Sequence, residues 1–529
     1  MTEGITGQSS GRTGADRDLR PEDAGRTGRL SGTNGPAAAG RAGFSITGMT
    51  ISGSAYMSAS DAFAWYMERD AVLRSPVVAI DWLDCAPDWD VLLGRVDRIS
   101  RLMPSLRQRV VESPFRLTAP RWTYDPHFDL NWHLTRIGAS PPGTRDAVVQ
   151  LARRAAMADF DRARPLWEVT LVEGLEGGEA ALVVKFHHSL SDGAAAMRML
   201  AIVADQQREP RDLGEMPPVP PPEAPGLPGL IAGAVGEMAG QTASLARRGV
   251  GEAIGYVRDP IGYVRGAAAM ACSVYRTAAP SRSTLSPLMR ERATTRYLAM
   301  TEVPLDALKK VAKTAGGTVN DAFLAAVAGG LRRYHERHGA AVGSMRALMP
   351  ISLRAGSNAD WGNRITLQRL TVPVGEPDPV ARMRELHRVA QAAREEPSLS
   401  VTEDIAAALN VLPVDYVGGI LKHVDFVASN VPGPPVPVYL AGGRVTGFFT
   451  FGPTIGASLN ITMLSYDGTC DIGINIDTAA VPDPDVMVAC LRESFAEIAA
   501  LGQAAGRRVS RDGRAARPER GSGRTSRTT

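Results

Sequence analysis

Around residues 182–204 the spacing of apolar positions changes from the period of a strand to that of a helix. Leu182-Val183-Val184-Lys185-Phe186-His187-His188 is mostly β-branched or aromatic and contains no Gly or Pro, which predicts a strand. Successive strand side chains point to opposite faces, so Val184, Phe186 and His188 share one face while Val183, Lys185 and His187 share the other. The two adjacent histidines therefore cannot do the same job. After the loop Ser189-Leu190-Ser191-Asp192-Gly193 comes an alanine- and methionine-rich run of high helix propensity, with Ser191 or Asp192 placed as its N-cap. A strand, a sharp loop and a helix in succession can hold an imidazole rigidly at a cleft.

Similar patterns extend along most of the chain. A serine or aspartate cap before an apolar start predicts a helix over 57–66, and 77–83 reads as a strand. Residues 88–103 place apolar groups at helical spacing, and a strand over 169–172 follows Trp167-Glu168, where the tryptophan is read as core filling. Further on, Thr318-Val319-Asn320-Asp321 has the spacing of a capping box and opens a helix through Tyr334. Strands are expected over 345–353 and 365–372. Residues 457–466 and 469–477 form a hairpin about Asp467-Gly468, with Ile472, Ile474 and Ile476 on one face and Asp471, Gly473, Asn475 and Asp477 on the other.

Composition sets the limits. With 529 residues the chain exceeds one ordinary core, so two domains are expected. A net charge of +3 is small for this size and argues against a nucleic-acid partner. Cys85, Cys272, Cys470 and Cys490 lack any C-x-x-C or regular spacing, so neither a zinc ribbon nor a disulfide framework is expected, and a cytoplasmic setting is the default. The chain has no run of about 18 apolar residues, so a membrane would be met from one side only. Residues 1–46 and 506–529 are Gly-, Ser- and Arg-rich with few large apolar groups, and both are read as disordered. Arginines in the second tail suit an anionic surface or simply solvent.

A proline-rich stretch over 217–228 marks the end of a first domain, placed at 47–208. The crossover, 209–290, carries a short repeat, Ile254-Gly255-Tyr256-Val257-Arg258 and Ile261-Gly262-Tyr263-Val264-Arg265, whose apolar residues fall on one helical stripe. Two readings of it stand: a helix lying in a lipid interface, or a cover over the domain junction. A second domain occupies 291–505.

Neutral imidazole can take a proton from an alcohol and return it to a leaving group, which makes the His pair the candidate catalytic centre. A surface pair and a core histidine are the competing readings. No metal site is expected, because adjacent strand residues diverge and no other His/Cys cluster lies nearby.

His187-His188-Ser189-Leu190-Ser191-Asp192-Gly193 resembles the HHxxxDG signature of CoA-dependent acyltransferases related to chloramphenicol acetyltransferase. Pro104-Ser105-Leu106-Arg107-Gln108-Arg109, Asp125-Pro126-His127-Phe128-Asp129-Leu130, Arg164-Pro165-Leu166-Trp167-Glu168, Thr318-Val319-Asn320-Asp321, Pro350-Ile351-Ser352-Leu353-Arg354, Gly362-Asn363 and Ser429-Asn430-Val431-Pro432-Gly433-Pro434 lie on either side of it, in that order. Together they resemble the bacterial wax ester synthase/diacylglycerol acyltransferase family over about residues 56–505. The resemblance implies an α/β (α+β) fold of two chloramphenicol acetyltransferase-like domains around a central cleft, joined by a long helical crossover. It also implies acyl-CoA as a substrate rather than a bound cofactor, and diacylglycerol or a long-chain alcohol as acceptor. By the same resemblance His188 is the general base. His187 and Asp192 stand beside it as catalytic residues, Asp192 pairs with an arginine, Arg107 or Arg109, and Gly193, Arg107, Asn320 and Asp321 support the site. The enzyme would work in the cytoplasm, on the inner membrane face or on lipid inclusions. Leu285-Ser286-Pro287 departs from the family's text and leaves open another hydroxyl acceptor, or a catalytically silent lipid-surface protein.

Overall fold

The computed structural model describes residues 55–113, 118–191, 193–221, 283–352, 365–410 and 412–515, with isolated positions between 229 and 281. The N-terminal segment, nearly all of the 230–279 repeat region, Gly362-Asn363 and Asp192 lie outside the described residues.

The first half runs α1 (Ala59–Met67), β1 (Pro76–Leu83), α2 (Trp89–Leu102), β2 (Gln108–Val111), β3 (Arg121–Tyr124), α3 (Leu130–His133), β4 (Leu134–Gly138), α4 (Arg145–Met157), β5 (Trp167–Glu173), β6 (Ala180–His187) and α5 (Gly193–Val203). The second continues with β7 (Arg296–Pro304), α6 (Leu305–Ala315), α7 (Val319–Arg337), β8 (Ser344–Ser352), β9 (Ile365–Pro373), α8 (Pro379–Arg394), α9 (Thr402–Asn410) and α10 (Val414–Leu421). It closes with β10 (Phe426–Pro432), β11 (Tyr439–Leu440), β12 (Gly443–Phe451), β13 (Leu459–Tyr466), β14 (Thr469–Asp477) and α11 (Pro484–Ala515).

Local chemistry sets the element ends. Ser58 and Asp88 cap α1 and α2 through their side chains. The hairpin turns at Asp467 (φ 42°) and Gly468 (φ 85°), the left-handed pair that a tight two-residue connection requires. Helix α11 runs from Pro484 to Ala515.

Two six-stranded mixed sheets result, ordered β11-β12-β1-β6-β5-β4 and β7-β14-β13-β10-β8-β9. The two halves of the chain do not map one to one onto the sheets. Strand β12, from the second half, pairs antiparallel with β1, with Ile80 opposite Phe449 and Asp81 opposite Phe448. The Asp471–Asp477 face of β14 crosses against it: Asn475 Nδ2 donates to Gly452 O at 2.9 Å, and a Cβ on Gly473 would lie 2.1 Å from Thr450 O. The first sheet is therefore completed by strands from late in the chain. Helix α7, buried along most of its length between α6, α8 and α11, anchors the core of the second sheet.

Candidate active site

Strand β6 does what its alternation predicts. Leu182, Val184, Phe186 and His188 face a cavity of about 490 Å³, and the His187 side chain is buried. The cavity lies between the sheets, walled by β1, β6, α2 and α5 of the first half and by β10, β12 and β13 of the second. Its size falls in the range of small-molecule sites.

His187 is held from three directions. Its Nδ1 lies 2.7 Å from Ser189 Oγ, and its ring meets the edges of Trp65 and Phe160. Nε2 is 3.2 Å from Glu68 Oε1, though off the line of a good hydrogen bond. Glu68, on the turn after α1, also accepts the Ser75 N–H. Burial alone would raise its carboxyl, but His187, the Ser75 amide and Arg162 outweigh that and hold it below the usual range. These contacts hold the His187 ring against the start of the loop. His188 itself is half-buried, with its amide donating to Ser75 O at 3.1 Å and its side chain on the cavity wall.

Gly193 brings the halves together. A Cβ there would sit 2.7 Å from Val431 Cγ2, so only glycine lets the start of α5 approach β10 this closely. Ser429 and Asn430 of β10 consequently line the same cavity as His188. Beside them on the paired strand β13, Thr462 Oγ1 donates to Asn460 Oδ1 at 2.9 Å, and Asn460 Nδ2 donates to Pro453 O at 2.8 Å. Most of the remaining lining is hydrocarbon, which suits an aliphatic chain.

Arg107 pairs with a carboxylate on α2, while the Asp192 side of the expected pair lies outside the described residues. Its Nη2 pairs with Asp97 at 2.6 Å, its Nε donates to Ser100 Oγ at 2.9 Å, and its guanidinium lies 4.3 Å over the Phe128 ring. Phe128 stacks on His133, which stacks on Trp167, at centroid distances of 5.1 and 4.5 Å. Trp167 then donates Nε1–H to Leu106 O at 2.8 Å and borders the cavity. The tryptophan is thus both core and wall. Three of the sequence motifs meet in this single column.

Asn320 and Asp321 stand at the first turn of α7, outside the cavity lining. Asp321 Oδ2 accepts Thr318 N–H at 2.7 Å and faces His387 Nδ1 at 2.7 Å, so Asp321 caps the helix. The variant loop Leu285-Ser286-Pro287 is also away from the cavity. Ser286 Oγ lies 2.8 Å from His335 Nε2, and Ser286 N–H donates to Asp425 at 3.0 Å. Its departure from the family's text alters an anchor.

Two features escaped the sequence reading. Glu68 packs behind His187 from a turn distant in sequence, and no periodicity could have announced it. Asp81 did carry a signal, as the lone charge within an otherwise apolar strand. What surface it exposes lies in the cavity, and burial pushes its carboxyl up to about 7.

The model of the wax ester synthase/diacylglycerol acyltransferase catalytic domain matches residues 57–323, and that of the family's C-terminal domain matches residues 361–499. A Mycobacterium tuberculosis protein bearing the name diacylglycerol O-acyltransferase is 35% identical over 448 residues, covering 82% of this chain and 89% of its own. Another of that species and name is 29% identical over 468 residues, covering 84% and 97%. Among solved structures, the wax ester synthase/diacylglycerol acyltransferase from Marinobacter aquaeolei VT8 superposes with a TM-score of 0.55 at 22% identity, covering 85% of this chain and all (100%) of that one. The starter condensation domain of rhizomide synthetase, solved with C8-CoA and Leu-SNAC, gives a TM-score of 0.53 at 14% identity, covering 85% and 94%. These two likenesses establish the chloramphenicol acetyltransferase-like fold. From the two family models and the 35% identical relative, the chain belongs to the wax ester synthase/diacylglycerol acyltransferase family.

Proposed function

We propose that this protein transfers a long-chain acyl group from acyl-CoA to the hydroxyl of diacylglycerol or a long-chain alcohol, with His188 as general base. The observation that carries the reading is the His188 side chain on the wall of an apolar cavity built from both halves. His188 takes the proton of the acceptor hydroxyl as that oxygen attacks the thioester carbonyl. Collapse of the tetrahedral adduct breaks the C–S bond, and the departing CoA sulfur takes the proton back from the imidazolium. No acyl-enzyme is needed. Ser429 and Asn430, on the facing strand, offer polar groups toward the developing oxyanion. Asp192 keeps its proposed role of pinning the motif loop.

Both acceptors partition into lipid, which places the reaction at a membrane or lipid-inclusion face. Among the described residues no helix is long and apolar enough to cross a membrane. Flotation with liposomes tests the surface, and loss of all flotation counts against it.

The deciding measurement is CoA release from palmitoyl-CoA with hexadecanol, with diacylglycerol and with neither. His188→Ala is expected to lower turnover by about two to four decades with the fold intact. Equal turnover in the variant would remove His188 from the chemistry. Acceptor-independent silence in the wild type would favour a lipid-surface protein without activity, and release with only some other hydroxyl compound would reassign the acceptor.

A further inference from the structure

The end of the cavity remote from His188 holds a carboxyl that acyl transfer does not use. Asp81 lies on β1 opposite Leu182 of β6 and Phe448 of β12. Those two belong to one apolar cluster with Leu92, Leu440 and Leu464, all of which face the cavity. Among the described residues Asp81 carries no side-chain hydrogen bond or ion pair, and the surface it exposes is cavity wall. An unpartnered carboxyl on an otherwise apolar wall is costly unless something in the cavity bonds to it.

Geometry says what that partner is. From Leu182 to His188 the strand advances roughly 20 Å at about 3.3 Å per residue. An extended chain of about 1.5 Å bonds at about 111° gains about 1.25 Å per carbon, so about sixteen carbons reach from the reacting carbonyl to Asp81. A methyl terminus would strip water from the carboxyl and give nothing in return. A hydroxyl there would pair with it, and with the carboxyl raised to about 7 both its acid and its carboxylate form are present near neutrality, so the hydroxyl can donate or accept.

We infer that Asp81 makes the far end of the cavity a binding site for a hydroxyl carried at or near the end of a long aliphatic chain. This rests on the acyl-transfer reading, and it names a substrate class within it: chains of about sixteen carbons, hydroxylated distally. The chain can belong to the acyl donor or to the acceptor.

CoA release by wild type, Asp81→Asn and Asp81→Leu separates these sources. One arm compares ω-hydroxypalmitoyl-CoA with palmitoyl-CoA on hexadecanol, and the other compares hexadecane-α,ω-diol with hexadecanol under palmitoyl-CoA. The wild type is expected to favour the hydroxylated chain in one arm, and Asp81→Leu to lower that kcat/KM ratio about tenfold, the worth of one hydrogen bond to a buried carboxyl. Asp81→Asn, which still bonds a hydroxyl, retains most of the preference. An unchanged ratio in both arms for Asp81→Leu overturns the proposal. Should that variant not fold, the wild type alone decides: shortening the favoured chain to about ten carbons must abolish the hydroxyl's advantage, because it no longer reaches. An advantage that persists in the short chain overturns the assignment. CoA release by the wild type from no pair would instead overturn the transfer reading, and this one with it.

Discussion

His187 and His188 are covalent neighbours in unlike surroundings, one enclosed by Glu68, Ser189 and aromatic edges, the other open to the cavity. The enclosed residue fixes the backbone from which the open one projects. Glu68 is thus a positioning residue, and its effect belongs in turnover more than in substrate affinity. Glu68→Gln, which keeps the shape but removes the charge, is expected to lower kcat about tenfold with KM little changed, the worth of one charge-assisted contact. Steady-state kinetics with palmitoyl-CoA checks this, and a kcat within about twofold of wild type would detach Glu68 from the site.

At the scale of elements, the column Arg107, Phe128, His133, Trp167 ties the turn Pro104–Arg107, the loop before α3, α3 and β5 into the cavity's flank. His133 is 1% exposed, donates Nδ1–H to Trp167 O at 2.7 Å, and is pushed down to about 4 by burial. Its folded value lies below the unfolded one near 6.5, so its contribution is complete above that pH and is lost as pH falls toward about 4. The loss is on the order of 3 kcal/mol at most. His133→Phe keeps the stack without the titration, and its melting temperature should fall less steeply over that window; parallel curves would exclude His133 as the acid-sensitive group. The strands, the capped helices and the hairpin were legible because alternation and turn chemistry are local. Three motifs were legible as text, but their meeting in one column was not, since stacking joins residues that no spacing relates. The orientation of β6 was readable from its period, whereas the partner of Arg107 depended on where α2 ended.

On the scale of the whole molecule, the passage of β12 into the first sheet is what no local pattern could reveal. Strand order is a non-local property, and 443–451 reads equally well as a member of either sheet. Without β12 the first sheet would present β1 as a bare edge with Val78, Ile80 and Trp82 along it, all of them fully buried in the intact fold. Residues 1–208 expressed alone are therefore expected to be insoluble or to aggregate. Co-expression with residues 209–529 should restore a soluble complex, as size-exclusion chromatography of the pair would show. A soluble, monomeric first half would mean the sheet closes some other way.

The same crossing strand complicates any attempt to recombine relatives. A chimera spliced in the crossover, taking the first half from one enzyme and the second from another, would import a foreign middle strand beside Asp81 along with the new domain. A clean exchange of halves needs three junctions, the extra pair flanking residues 439–451, so that each reaction chamber keeps the wall it was built with.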